Sequence, residues 1–301
     1  MNKEKLEELR LEVKNAYIVA FVVIVSLLII SMLFVRIMFI SMFIIILGIF
    51  ITMIVTSKKR QQYKKGFKNY FVLSSLNKYF EELNYNPEQG MPYKTIADTK
   101  MMNMGDRYYS NDYMTGKYKN IYFEQADVHI EEEYESTDSD GHTTTSYVTI
   151  FKGRWMIFDF NKSFKANVQV SQKGFGNSKV QLHLGKKEQL YQKVSMESEE
   201  FNKRFKVYAQ NEHDAFYILT PSLMERIQRL DDNNKGKLLL CFIENKLHIG
   251  LYDGKDSFEA GSVFKAIDEE KVRKEIEKDI KTITQFVDEL NLDNTLFREG
   301  V

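Results

Sequence analysis

Cysteine is almost missing from this chain: Cys241 is the single cysteine among 301 residues. A lone cysteine cannot form an intrachain disulfide, and a zinc cluster built from several cysteines is excluded as well. The five histidines show no H-E-x-x-H spacing, so we expect neither a metal nor a cofactor. Cys241 itself lies in an apolar strand pattern, which is typical of a buried, unreactive thiol. This cysteine usage fits a reducing compartment.

Charge is nearly missing from residues 17–56, an apolar run that Arg36 alone interrupts. As one helix the run would be about 60 Å long, about twice the thickness of a bilayer core. The length therefore predicts a transmembrane helical hairpin of two spans, with Arg36 at the outer turn. The run contains no Asp, Glu or His, and this lack argues against a transporter or a proton pathway.

Basic residues flank the apolar run on both sides. Residues 1–68 contain 11 Lys/Arg against 4 Asp/Glu, whereas the rest of the chain contains 31 against 38, a net charge of −7. Short basic flanks stay in the cytoplasm. We therefore predict a multi-pass protein of the inner (plasma) membrane with both termini cytoplasmic, and Lys58, Lys59 and Arg60 mark the exit of the second span. We expect the apolar run and its basic flanks to contact the lipid bilayer. The acidic remainder of the chain is a poor binder of nucleic acid, because it cannot neutralise phosphates.

The polar region predicts an α+β fold: a soluble domain with a mainly antiparallel sheet flanked by helices follows the hairpin. The predicted parts are a cytoplasmic N-terminal helix (1–16), the transmembrane hairpin (17–56), a juxtamembrane helix and linker (57–92) and a cytoplasmic α+β domain (93–301).

Turn dipeptides and alternating apolar residues predict the strands of this domain. Asp140 and Gly141 form a hairpin-turn dipeptide between two long alternating stretches. Thr220 and Pro221 are favoured at the start of a helix. Apolar residues spaced four or three apart predict a last helix over 268–290, which either covers a sheet face or forms a coiled coil with a partner. The other predicted elements are a helix over 58–83 and strands at 179–184, 205–210, 215–219, 237–243, 246–252 and 257–260.

Asp159 is the one candidate catalytic residue. In the segment 154–164 (RWMIFDFNKSF) it shares a strand face with Trp155 and Ile157. A carboxylate beside such side chains can have a raised pKa and take part in proton transfer. The alternative is an ion pair at a sheet edge, for example with Lys162.

Four stretches of the polar region carry a family resemblance. They are 110–116 (SNDYMTG), 151–162 (FKGRWMIFDFNK), 194–208 (VSMESEEFNKRFKVY) and 215–221 (AFYILTP). In this order, after a pair of apolar spans, they resemble a bacterial family of membrane-anchored domains of unknown function, the domain of unknown function 3137. The resemblance implies an inner-membrane protein with a cytoplasmic α+β domain. It implies no reaction and no catalytic residue, and it suggests a LemA-type membrane protein as a partner.

These observations favour a non-enzymatic, membrane-tethered binding or scaffolding protein. Two alternatives stay open. One is an enzyme of unfamiliar type that uses carboxylates such as Asp159 or those of the acidic segment 131–140. The other is a protein that organises lipid or the cell envelope.

A reporter enzyme fused after Val301 tests the predicted topology. We expect a reporter that works only in the cytoplasm to be active there, because the basic flanks hold both ends of the hairpin inside. The same reporter fused after Arg36, at the predicted outer turn, is the control and should be inactive. A reporter of this kind that is inactive after Val301 would contradict the hairpin.

Overall fold

The structure, a computed structural model, describes residues 2–33, 38–137, 139–160, 167–175, 191–290 and 292. The chain divides into two compact units. The first contains the described residues of Met1–Lys78 and Phe258–Glu277, and the second those of Tyr79–Ser257 and Lys278–Val301. Nothing in the sequence pattern indicated that residues near 260 belong with the N-terminal helices.

Two long antiparallel helices form the first unit, α1 (Lys3–Leu33) and α2 (Met38–Phe67). Their pairing is visible at two levels, because Lys59 lies 3.4 Å from Glu12 and Gly48 packs on Leu27. A Cβ atom on Gly48 would lie 2.6 Å from Leu27 Cδ1, so glycine lets the two helices approach closely here.

Apolar side chains cover the outer surfaces of α1 and α2. Phe21 is 69% exposed and Phe43 is 67% exposed, and many neighbouring Ile, Val and Leu side chains are exposed as well. Within the described part of the chain, α1 is the one helix both long and apolar enough to cross a membrane. These surfaces suggest membrane association, since water is a poor solvent for them.

After α2 the helical segment continues through a π-helical turn (Lys68–Val72) and a short helix α3 (Leu73–Leu76), where it ends. The predicted helix over 58–83 therefore ends at Leu76. Residues further on form strand β1 (Glu81–Asn86), because they pair with the next strand of the sheet and cannot also continue a helix.

The second unit is built on one sheet, in which the described residues form nine strands in the order β1-β2-β3-β4-β9-β8-β5-β7-β6, and every neighbouring pair is antiparallel. The remaining strands are β2 (Arg107–Tyr118), β3 (Ile121–Thr137), β4 (Thr143–Asp159), β5 (Val168–Gln172), β6 (Gln192–Val194), β7 (Phe205–Ala209), β8 (Lys237–Ile243) and β9 (Lys246–Tyr252). The remaining helices are α4 (Tyr93–Ala97), α5 (Glu199–Arg204), α6 (Glu212–Ile218), α7 (Pro221–Asn233) and α8 (Glu269–Leu290). The predicted class, helices with a mainly antiparallel sheet, is confirmed.

Local chemistry explains several of these elements. Glu244 and Asn245 have φ values of 52° and 58°, as a two-residue hairpin turn between β8 and β9 requires. Thr220 caps α7 by accepting the Leu223 N–H at 3.4 Å, with Pro221 at the first helical position. The predicted helix start at Thr220 and Pro221 and the predicted strands at 237–243 and 246–252 are confirmed.

Two predicted strands are wrong. Residues 215–219 lie mostly in α6, because Asn211 caps a helix there by accepting the His213 N–H at 2.9 Å. Residues 257–260 form no strand, since the Ser257 N–H is bonded to a side chain and Phe258 has a φ of 55°. The predicted strand at 179–184 lies outside the described residues.

Both faces of the sheet are buried. On one face, Trp155 packs in a cluster with Val128, Ile130 and the methionines Met101 and Met102. The opposite face carries Arg154, which donates to the Asp279 carbonyl at 2.8 Å and to its carboxylate at 2.9 Å, and so ties β4 to α8.

The C-terminal part of α8 packs within its own chain. Ile280, Ile283, Phe286 and Val287 are fully buried, and Arg226 of α7 donates to the Glu289 carbonyl at 3.0 Å. Of the two interpretations of this helix, the structure therefore favours cover of the sheet over a coiled coil with another chain.

Replacing Ile283 by alanine should lower the free energy of unfolding of the full-length protein by about 2–5 kcal/mol, because the side chain leaves a cavity. Urea denaturation in detergent, followed by fluorescence of the single tryptophan Trp155, measures the change. Lys281→Ala, on the exposed side of α8, is the matched control and should change little. An unaltered midpoint for Ile283→Ala would contradict packing in cis.

Candidate functional site

The β3–β4 hairpin extends beyond the sheet. Pairing of β2 with β3 ends at Arg107 opposite Glu131, and pairing of β4 with β9 begins only at Gly153. Between these limits, β3 and β4 pair with each other and with no other described strand. We call residues 132–137 and 143–148 the arm. Six residues at about 3.4 Å each make it about 20 Å long.

Acidic and hydroxyl side chains dominate the arm. On one face Glu133 lies opposite Tyr147, and Glu135 lies opposite Thr145. All four side chains are exposed. On the other face Glu132 accepts hydrogen bonds from Asn103 at 3.0 Å and from the Tyr134 hydroxyl at 2.9 Å, so its carboxylate is held in place.

A patch of aromatic and charged side chains lies at the base of the arm. The Arg107 guanidinium lies 3.5 Å from the centroid of the Tyr147 ring. Tyr109, 51% exposed, has its ring 6.0 Å from that of His129, and His129 lies 3.4 Å from Glu131. Exposed tyrosine and arginine beside carboxylates are typical of protein-binding surfaces, because they combine apolar contact with directed hydrogen bonds.

The sequence identified the acidic segment 131–140 but not its shape. Its residues Glu131–Thr137 form the outer half of β3, paired with the β4 residues Thr143–Thr149. The Asp140–Gly141 turn predicted from the sequence is confirmed by the pairing of Thr137 with Thr143.

A second group of polar residues is buried in the sheet. The Asp127 carboxylate accepts the Ser257 N–H at 2.5 Å and the Ser257 hydroxyl at 2.8 Å. Nearby, Asp112 accepts the Tyr85 hydroxyl at 2.5 Å. Burial, and next the charge of Asp112, raise the pKa of Asp127 from 3.8 to about 8, although Arg154 opposes the shift. The bonds from Ser257 to Asp127 hold the segment that follows β9 against strand β3. Their role is to stabilise the fold.

Asp159 lies at the exposed end of β4, opposite Lys246 of β9. The Lys246 ammonium is 3.4 Å from Glu124. Trp155 and Ile157, on the same strand face, are buried. The strand therefore leaves the core between Ile157 and Asp159, and the Asp159 side chain is exposed to solvent. A catalytic role for Asp159 stays a prediction.

Cys241 and His248 are both buried in the core of the sheet. Burial raises the pKa of the Cys241 thiol well above its usual range. Burial likewise lowers the pKa of His248 to about 4, and its Nδ1 accepts the Trp155 indole N–H at 3.4 Å. Among the described residues no three His, Cys, Asp or Glu side chains converge as a metal site requires.

The residues predicted to set the topology lie in or near α2. Arg36 lies outside the described residues. Lys59 pairs with Glu12 at 3.4 Å, whereas Lys58 and Arg60 are exposed and form no ion pair with any residue that the structure describes. Their role in orienting the chain stays a prediction.

Sequence reasoning missed a cleft in the first unit. A cavity of about 260 Å³ lies between α1, α2 and a loop that is distant in sequence. We call it the interfacial cleft. Its lining residues are Tyr17, Arg60, Tyr63, Lys64 and residues 260–264. The basic side chains on α2 were visible in the sequence, but the loop that completes the cleft lies about two hundred residues away.

The raised pKa of Asp127 predicts a pH dependence of stability. Between pH 4 and 8 the folded protein keeps a proton on Asp127 that the unfolded chain releases, so stability falls as pH rises, by at most about 1.4 kcal/mol per pH unit. Asp127→Asn mimics the protonated carboxyl and should flatten this slope in urea denaturation. The exposed Asp159→Asn is the control. A slope as steep in Asp127→Asn as in the parent protein would contradict the assignment.

Comparison with known proteins finds a family match over slightly less than half of the chain. Residues 149–292 match the family described as "Protein of unknown function (DUF3137)". The curated proteins give no match. Among solved structures, the chain is similar to the mycobacterial trehalose monomycolate transport factor A, TtfA, at 11% identity and a TM-score of 0.39, covering 75% of this chain and 96% of that one.

Proposed function

We propose that this protein is a membrane-tethered binding or scaffolding protein of the inner membrane, which presents its arm to a partner in the cytoplasm. In this proposal α1 and α2 both cross the bilayer and both termini are cytoplasmic. The single observation that carries the binding role is the arm, a two-stranded extension that pairs with no other described strand.

The exposed apolar side chains support two crossings. They occur on both helices, with Phe21 on α1 and Phe43 and Phe50 on α2 as the largest examples. If α1 crossed the bilayer and α2 stayed in water, the apolar side chains of α2 would remain exposed to water. Each Å² of apolar surface left exposed in this way costs roughly 25 cal/mol. The antiparallel pairing of α1 and α2 brings the two basic flanks to the same end, as the positive-inside rule requires of a hairpin.

The arm is the most suitable part of the second unit for recognition. An isolated two-stranded hairpin is only marginally stable in water, because one pair of strands buries little apolar surface. A partner that covered the arm would add the missing contacts. The Glu133 N–H already donates to the Asp106 carboxylate at 2.8 Å. Beyond Glu133, the edges of β3 and β4 pair with no other described strand and offer backbone N–H and C=O groups to an added strand.

The charge of the arm indicates the chemistry of the partner. Glu131, Glu133 and Glu135 project from one face, beside the exposed rings of Tyr109 and Tyr147. A segment rich in Lys and Arg complements this face, since ion pairs and cation–π contacts then form together. A LemA-type membrane protein, suggested by the family resemblance, is one candidate for this partner.

Crosslinking in native membranes, followed by purification of the full-length protein, tests this proposal. The variant E131Q/E133Q/E135Q should capture about tenfold less of the partner than the parent protein, because three moderately exposed ion pairs are lost. Capture by the parent protein should also fall as NaCl is raised, since salt screens such pairs.

The control variant E270Q/E275Q/E277Q removes the same charge from exposed positions of α8. It should capture as much partner as the parent protein. Equal capture by both variants, or recovery of no specific partner by the parent protein, would rule out the arm as the recognition element.

A further inference from the structure

The interfacial cleft lies entirely within the first unit, and two distant parts of the chain form it. Tyr17 belongs to α1, and Arg60, Tyr63 and Lys64 belong to α2. The loop 260–264 closes it. The loop is held in place by Arg10, whose guanidinium is buried and donates to the Val263 carbonyl at 2.5 Å.

The cleft has an excess of positive charge. Arg60 is exposed and forms no ion pair or hydrogen bond with any described residue. Lys64 shares its charge with Glu259, 2.9 Å away, which is not part of the lining. One guanidinium is therefore available to an anion in the cleft, and one ammonium lies beside it. A guanidinium is the side chain best suited to phosphate, because its planar N–H groups can bind two oxygens at once.

Hydrogen-bond donors without acceptors also line the cleft. The Tyr63 side chain is 3% exposed, and burial raises its pKa, so its hydroxyl stays protonated. This hydroxyl donates to no described residue. The backbone N–H groups of Gly261 and Ser262 likewise have no acceptor in the described chain, and the space beside Gly261 is open. Gly261 and Ser262 are exposed, so their N–H groups are open to a ligand. An anion in the cleft would accept charge-assisted hydrogen bonds from these donors.

The position of the cleft along the helices matches the headgroup layer of a bilayer. Arg60 follows the end of the apolar run at Thr56 by four residues, or about 6 Å along the helix. Tyr17 begins the apolar run and stacks at 6.0 Å on Phe264, which is 57% exposed on the loop. Aromatic side chains at this level are typical of the membrane–water interface.

We propose that the interfacial cleft binds the phosphate of an anionic phospholipid headgroup. Arg60 and Lys64 neutralise the phosphate, the Tyr63 hydroxyl and the loop N–H groups donate to its oxygens, and the Tyr17–Phe264 pair lies against the glycerol and upper acyl chain. The same donors fit any phosphate monoanion, including free phosphate. This inference rests on the proposed insertion of α1 and α2 in the membrane.

Native mass spectrometry of the full-length protein, released from nanodiscs of phosphatidylcholine with one fifth phosphatidylglycerol, tests the inference. The parent protein should retain phosphatidylglycerol in preference to phosphatidylcholine. Arg60→Gln should lower this retention about tenfold, because a charge-assisted contact is lost. Tyr63→Phe removes only the hydroxyl and should lower retention several-fold while the protein stays folded.

Lys58→Gln is the matched control. It removes one positive charge two residues from Arg60, and Lys58 does not line the cleft. A diffuse attraction of anionic lipid to basic residues would depend equally on both side chains. Equal losses in Arg60→Gln and Lys58→Gln, or equal retention of the two lipids by the parent protein, would therefore overturn the inference.

Calorimetry with inorganic phosphate, on the full-length protein in a neutral detergent, separates the two sources of phosphate. Weak or absent heat is expected, because the aromatic pair contributes only to a lipid. If inorganic phosphate bound tightly and Arg60→Gln abolished that binding, the assignment of a phospholipid as the ligand would be wrong. The cleft would then be a site for free phosphate. Lipid retention after release from nanodiscs does not depend on which way the helices cross. A reporter showing the opposite topology would therefore refute the proposed orientation and leave the cleft in place.

Discussion

The apolar outer surfaces of α1 and α2 are the constraint on which the rest of the molecule depends. Side chains such as Phe21 and Phe43 are exposed in the folded chain, and water makes that exposure unfavourable. A lipid environment removes the penalty. The same surface limits where other groups can lie, since the charges of Lys58 and Arg60 must remain at the edge of the apolar region. The interfacial cleft occurs at this edge.

The second unit is stabilised in a different way. Its sheet buries aromatic and aliphatic side chains on both faces, and two polar ties cross the core, from Asp127 to Ser257 and from Arg154 to Asp279. Only the arm leaves this arrangement, because β3 and β4 continue past their neighbours. The matched family region begins at residue 149, so the arm and both long helices lie largely outside it.

Elements with a strong local signal could be predicted from the sequence. The α8 periodicity, the cap of α7 and the β8–β9 turn each depend on residues a few positions apart. Strand β2 was missed because a bulge near Asp112, whose φ is 56°, interrupts its alternation. The segment 215–219 was wrongly predicted as a strand, because its apolar run fits a short strand. It forms a helix because the Asn211 side chain accepts the His213 N–H and so caps that helix. Of the candidate site residues, the acidic arm and Arg60 were identified, but the use of Arg60 in a cleft was not.

The sequence by itself determined the membrane association, the fold class and the separation of a basic tether from an acidic domain. These properties follow from composition and short-range periodicity, which act through the solvent and need no particular neighbour. Only the tertiary structure decided that Asp159 is exposed, that α8 packs in cis, and that residues 260–264 meet Arg60 and Tyr63. Such contacts join residues far apart along the chain, and their partners are selected by packing, which no local pattern records.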